Sequence, residues 1–184
     1  MPVRCRRLSL SEITLLVLAF AGGCSLFVGC TQTRGAVLEK WQTENKTFQV
    51  RVTSYEEKDA NVNGAAYRFE SSLSGSNDWH EIVTFRHDDQ PKIPTDQVRF
   101  VNDQIGYLFM GWIYAVTIDG GASWSVWDAN HDLPNWRCCN YKLIADVTVG
   151  KDGSGVMRLN PIQNRYGEVQ ELHTNDYGRH WRAE

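Results

Sequence analysis

No stretch of this 184-residue chain carries an apolar stripe at 3.6-residue spacing over the length of a helix, so its body is not built from amphipathic helices. No basic stripe and no low-complexity tract are present, and the formal charge is −3, which leaves no electrostatic footprint for nucleic acid. A Gly-x-Ser-x-Gly elbow, a phosphate loop and a His-Glu-x-x-His pair are all missing, which removes the commonest hydrolase, nucleotide and zinc-protease signatures. Cysteine is scarce: after residue 30 only Cys138 and Cys139 remain, adjacent in Trp136-Arg137-Cys138-Cys139-Asn140. Neighbours of this kind leave three choices: a vicinal disulfide, a bridge to a partner, or two buried thiols. They lack the gap of two to four residues that zinc ligands need, and no histidine pair stands at metal spacing, so no metal and no cofactor is expected.

What is present begins with an export pattern. Arg4, Arg6 and Arg7 precede an uncharged stretch from Ile13 to Cys30, the basic and apolar regions of a signal peptide. Cys24 follows Ala21-Gly22-Gly23 and Cys30 follows Phe27-Val28-Gly29, and each resembles the lipobox of bacterial lipoproteins. That resemblance implies a lipidated cysteine at the mature N-terminus. Cys30 is favoured because the polar run Thr31-Gln32-Thr33-Arg34-Gly35 follows it, whereas cleavage at Cys24 leaves Leu26-Phe27-Val28 exposed beside the anchor. An uncleaved anchor helix and ordinary secretion are the alternatives. The expected organisation is a signal peptide over 1–30, a tether over 31–45 and one domain over 46–184. Residues 1–30 hold three arginines and Glu12, a net of +2, so the charge of −3 becomes −5 for the remainder.

The octapeptide Thr117-Ile118-Asp119-Gly120-Gly121-Ala122-Ser123-Trp124 returns as Thr174-Asn175-Asp176-Tyr177-Gly178-Arg179-His180-Trp181. Hydroxyl, aspartate, glycine and tryptophan keep their offsets. The physical logic is a tight turn in which the carboxylate accepts amide hydrogen bonds and glycine supplies a positive φ. This pattern resembles the Asp-box, or bacterial neuraminidase repeat, family, whose signature is Ser/Thr-x-Asp-x-Gly-x-Thr-Trp. Ser123 stands for threonine in the first copy and His180 in the second. A degraded third copy runs from Ser72 to Trp79, with Ser74 and Ser76 in place of aspartate and glycine. The resemblance implies a β-propeller architecture and a structural role for Thr117, Asp119, Gly121, Trp124, Thr174, Asp176, Gly178 and Trp181.

Short β-rich runs separated by Gly, Asp and Asn make the chain all-β. The middle unit reads Gln97 to Val101, Gly106 to Trp112, Ile113 to Ile118 and Ser123 to Trp127; the next repeats that order from Leu143, and a less regular one spans Phe48 to Phe85. Phe100-Val101-Asn102-Asp103, Ile105-Gly106-Tyr107 and Ile113-Tyr114 are similar to blades of photosystem II assembly-factor propellers. Four to eight blades close a propeller, and here there is sequence for about three propeller-like four-stranded meanders, with a β-sandwich as the alternative.

Asp boxes also occur in sialidases, but no catalytic residue of those enzymes can be matched here, so the expectation is a non-enzymatic protein. Binding residues are sought in the long connection after Trp124, where Trp127, His131, Trp136 and Arg137 mix aromatic rings with charge, the composition of interface anchors. The expected function is a cell-envelope lipoprotein, held to the membrane by its lipid, that binds or chaperones a partner protein as an assembly factor or a toxin-immunity protein. The alternative is a glycan-binding module or the remnant of a glycosidase.

Overall fold

The described chain is built from eleven strands in three antiparallel sheets, each paired in chain order. The structure is a computed structural model and describes residues 35–59, 62–87, 92, 93, 95–132, 143–160 and 171–183. The first sheet holds β1 (Val37–Glu44), β2 (Phe48–Asp59), β3 (Val62–Leu73) and β4 (His80–His87). The second holds β5 (Val98–Phe100), β6 (Gly106–Met110), β7 (Ile113–Thr117) and β8 (Ser125–Asp128), followed by one helical turn, α1 (Ala129–Asp132). In the third are β9 (Ile144–Val149), β10 (Gly155–Leu159) and β11 (Glu171–Thr174). The chain is therefore all-β, as its patterning indicates. Where a fourth strand was expected in the third sheet there is a single bridge, His173 with Arg182, closed by two backbone hydrogen bonds of 2.7 and 3.0 Å.

The second sheet lies between the other two and is buried on both faces. Leu108, Met110, Ile113 and Ala115 join Phe48, Val50, Val52, Tyr67, Phe69 and Phe85 of the first sheet in one apolar cluster. Tyr107, Phe109, Tyr114, Val116 and Trp127 point the other way and join Val147, Val149, Met157, Leu172 and Trp181. Successive strand residues face opposite sides, so a strand covered on both sides must be apolar throughout. The runs Gly106–Met110 and Ile113–Thr117, buried at every position, are that case.

The first sheet turns a polar face away from this stack. Arg51 pairs with Glu70 at 2.8 Å, Arg68 with Glu81 at 3.3 Å, and the Arg51 guanidinium lies 4.1 Å over the Trp79 ring. An outermost layer with a polar outer surface needs no further sheet against it. Between the second and third sheets, Arg99 reaches from β5 to β9. Its Nη1 donates to the Val147 carbonyl at 2.7 Å and its Nη2 meets Asp146 at 2.8 Å, while the Tyr107 hydroxyl donates to the same carbonyl. These groups cover the unpaired edge of β9, which would otherwise offer a template for pairing.

One expectation needs correction. Residues 31–45 were read as a tether, yet Val37–Glu44 form β1, paired with β2 from Val37–Tyr55 to Glu44–Gln49. The charges Glu39, Lys40 and Glu44 disguise it. An edge strand exposed on much of its surface does not need alternating apolar residues, because backbone pairing to its neighbour holds it.

The stack has two unlike ends. At one, the turns from first to second strand clasp the turns from third to fourth: Ser74 N donates to Thr47 O at 2.8 Å, Gly120 N to Gln104 O at 2.9 Å and Tyr177 N to Gly153 O at 2.9 Å. Asn45 Nδ2 then donates to Asn102 O at 3.0 Å and ties the first two sheets there. At the opposite end β2, β6 and β10 finish and β3, β7 and β11 begin, and there too β4 and β8 finish and β5 and β9 begin. We call these the turn end and the loop end.

Gly121 sits at φ 85° with room for no side chain, since an added Cβ would lie 2.7 Å from Phe48 Cβ. Gly121→Ala should therefore lower stability by about 2 kcal/mol or more, from left-handed backbone strain together with overpacking. Equilibrium denaturation of the variant against the wild type measures this, and an unchanged midpoint would show that the turn relaxes away from Phe48.

Candidate functional site

The repeated octapeptides occupy the third-to-fourth-strand turns of the second and third sheets, and their hydrogen bonds superpose almost atom for atom. In the first copy the Thr117 hydroxyl donates to Asp119 Oδ1 at 2.8 Å and accepts from Gly121 N at 2.9 Å. Asp119 in turn accepts from Ser123 N at 2.9 Å and from the Ser123 hydroxyl at 2.5 Å. In the second, Thr174 donates to Asp176 at 2.7 Å and accepts from Gly178 N at 3.0 Å, and Asp176 accepts from His180 N at 3.1 Å. His180 Nδ1 meets Asp176 Oδ2 at 2.5 Å, so the imidazole fills the place of the Ser123 hydroxyl. That is why histidine is tolerated where the motif has serine or threonine.

The residue after each aspartate is left-handed, Gly120 at φ 69° and Tyr177 at φ 65°. A tyrosine in that region costs about 1–2 kcal/mol relative to ordinary backbone. It is held there by the Tyr177 N–H on Gly153 O and by the Tyr177 hydroxyl, which donates to Lys151 O at 3.2 Å.

The degraded copy lies at the corresponding turn of the first sheet, between β3 and β4, and Gly75 there has φ 78°. It has no carboxylate at the aspartate position. Instead the buried Gln49 side chain donates from the neighbouring strand to Ser76 O at 2.7 Å and to Leu73 O at 3.3 Å. This brace from β2 stands in for the missing carboxylate beside the turn's own Ser72 hydroxyl, which donates to Ser76 O at 3.3 Å, and sequence offsets alone could not reveal it.

The two motif tryptophans fill the spaces between sheets. Trp124 packs edge-on against Phe48 at 6.0 Å and its Nε1 donates to Ser71 Oγ at 3.0 Å. Trp181 packs edge-on against Tyr114 at 5.3 Å, and its buried Nε1 has no hydrogen-bond partner among the described residues. The residue at the offset of Ser71 in the second sheet is Val116, which has no acceptor to give. All eight motif residues thus serve the turn or the core.

The proposed binding residues divide. Trp127 is only 4% exposed and lies in the cluster between the second and third sheets, so it is a core residue and not an interface anchor. It pairs with Tyr114 across β7 and β8, and its alternation places it inward. His131 stands in α1 at the loop end with its side chain 81% exposed, its Nδ1 3.5 Å from Asp128 Oδ2. Trp136, Arg137, Cys138 and Cys139 lie outside the described residues, as do Cys24 and Cys30. Among the described residues no three His, Cys, Asp or Glu side chains gather to hold a metal ion, and no helix is long and apolar enough to cross a membrane. No protein-family model, curated protein or solved structure matches the chain.

Partial burial acts to raise the Asp176 carboxyl, but the His180 ring, the Thr174 hydroxyl, the His180 amide and the His180 charge outweigh it and bring it down to about 2. At Asp119 burial likewise acts to raise the carboxyl, and the hydrogen bonds from Ser123 and Thr117 outweigh it and bring it below its ordinary value. A carboxyl whose folded pKa is depressed stabilises the fold above the unfolded value, near 3.9, and loses that contribution as pH falls through the folded value. Asp119→Ala and Asp176→Ala should each lower stability at neutral pH by about 1–3 kcal/mol, because turn amides and hydroxyls lose their acceptor. Asp176→Asn should remove part of the loss of stability expected of the wild type between about pH 4 and pH 2. Thermal melts across pH measure both, and identical pH profiles for wild type and Asp176→Asn would show that this carboxylate does not contribute.

Proposed function

We propose that the protein is a non-enzymatic lipoprotein of the bacterial cell envelope, a short propeller-like array of Asp-box sheets that binds or chaperones a partner protein through its loop end. The observation that carries this reading is the division between the two ends. Hydrogen-bonded turns bind every described sheet at the turn end, whereas both sheet-to-sheet crossings leave the loop end. Connections held on a rigid scaffold are where binding residues concentrate. The crossing over 129–143 contains the exposed His131 and, outside the described residues, Trp136 and Arg137, the residue types that most often anchor protein interfaces. The export signal with Cys30 after it supplies the location, with an assembly factor or a toxin-immunity protein as the fitting roles.

Metabolic palmitate labelling tests the anchor: label should persist in Cys24→Ala and disappear in Cys30→Ala, and the reverse result would move the lipid to Cys24. An affinity pulldown from native membranes with the wild type and with Trp136→Ala tests the binding face. Loss of an anchor of this kind should cost more than about 2 kcal/mol of partner affinity without altering circular dichroism. An identical partner set from both proteins would take Trp136 off the face, and capture of purified glycan with no protein partner would replace this reading with a glycan-binding one.

A further inference from the structure

The chain enters the sheets at the loop end. β1 runs from Val37 toward the turn at Asn45–Thr47, and the backbone is held one residue earlier still, where Ala36 O accepts from Glu56 N at 2.8 Å. If Cys30 carries lipid, only six Cα steps separate the anchor from fixed backbone, about 20 Å fully extended. β1 itself carries the chain a further 25 Å or so, at about 3.3 Å per residue, before the turn end is reached.

Charge and polarity do not explain the surface at that entry point. Val37 is 58% exposed and Leu38 45%, side by side at the first residues of β1, where the register with β2 slips and the strand bulges. Leu73 at the turn end is 55% exposed but stands alone, whereas two adjacent apolar side chains beside an acyl anchor gain by entering the bilayer surface.

We propose that the loop end of the stack lies against the membrane, with Val37 and Leu38 in the bilayer surface, and that the turn end, with both Thr-x-Asp turns, points away from it. This rests on the lipid at Cys30. It places His131 and α1 at the level of the headgroups, so the partner of this face is a protein at the membrane surface or the exposed part of one embedded in it.

The test uses the full-length protein extracted from membranes and reconstituted into phosphatidylcholine vesicles that contain a nitroxide-headgroup lipid. A clickable azidophenylalanine replaces His131 in one preparation and the exposed Asn175, at the turn end, in another, and each receives the same fluorophore. Fluorescence should be lost at position 131 and retained at position 175. Equal quenching at both positions, or more at 175, overturns the orientation. The double variant Val37→Asp with Leu38→Asp, at exposed positions that leave the sheets intact, should narrow the difference between the two labels; an undiminished difference would remove these residues from the contact. Palmitate incorporation is measured on the same preparations. Its absence overturns the anchor and this inference together, and its presence with the wrong quenching pattern overturns this inference alone.

Discussion

Burial of the second sheet on both faces is the constraint on which the rest of the structure depends. A lone meander of four short strands cannot cover its own apolar surface, and three such meanders become stable when the middle one supplies side chains to two interfaces at once. Leu108 and Ala115 contribute to one cluster while Phe109, Tyr114 and Val116 contribute to the other. Each residue buried at about 25 cal/mol per Å² of apolar surface is counted in only one interface, but the strands that carry them are shared. Disturbing β6 or β7 therefore loosens both neighbours, whereas the polar outer face of the first sheet, with its Arg51–Glu70 pair, tolerates change on one side only.

The turn end draws its rigidity from a different source. Asn45, Asn102 and Asp152 each accept hydrogen bonds from amides two or three residues ahead, in the first-to-second-strand turn of each sheet. The third-to-fourth-strand turns then lean on these through one backbone hydrogen bond per sheet. The third-to-fourth-strand turns are braced in two ways: in two sheets a carboxylate inside the turn accepts from its amides, and in the first sheet the Gln49 side chain donates to the turn's carbonyls from a neighbouring strand. His180 in place of the hydroxyl in the third sheet keeps the geometry of the turn.

The braced turns and the sheet-to-sheet crossings are consequently separated along the strand axis. The motif that is easiest to see in the chain serves the fold. Trp127 illustrates the boundary between the two. It begins the connection in which interface residues were sought, yet the alternation of β8 turns it into the core, while His131, four residues later on α1, faces solvent.

By itself the sequence determined the β class, the two carboxylate turns and the repeat order of the second and third sheets, because period-two patterning and turn chemistry are local and are written in neighbouring residues. The turn at Ser72–Trp79 was half legible: the serine and tryptophan offsets located it, but its brace comes from Gln49, more than twenty residues away. β1 was hidden because an edge strand is specified by the hydrogen-bonding partner beside it, not by its own hydrophobicity. Only the tertiary structure decided that Trp127 is buried, that Arg99 guards the edge of β9, and that every long crossing leaves from one end. These depend on which faces of separate sheets meet, and contacts between residues distant along the chain leave no fixed spacing to read.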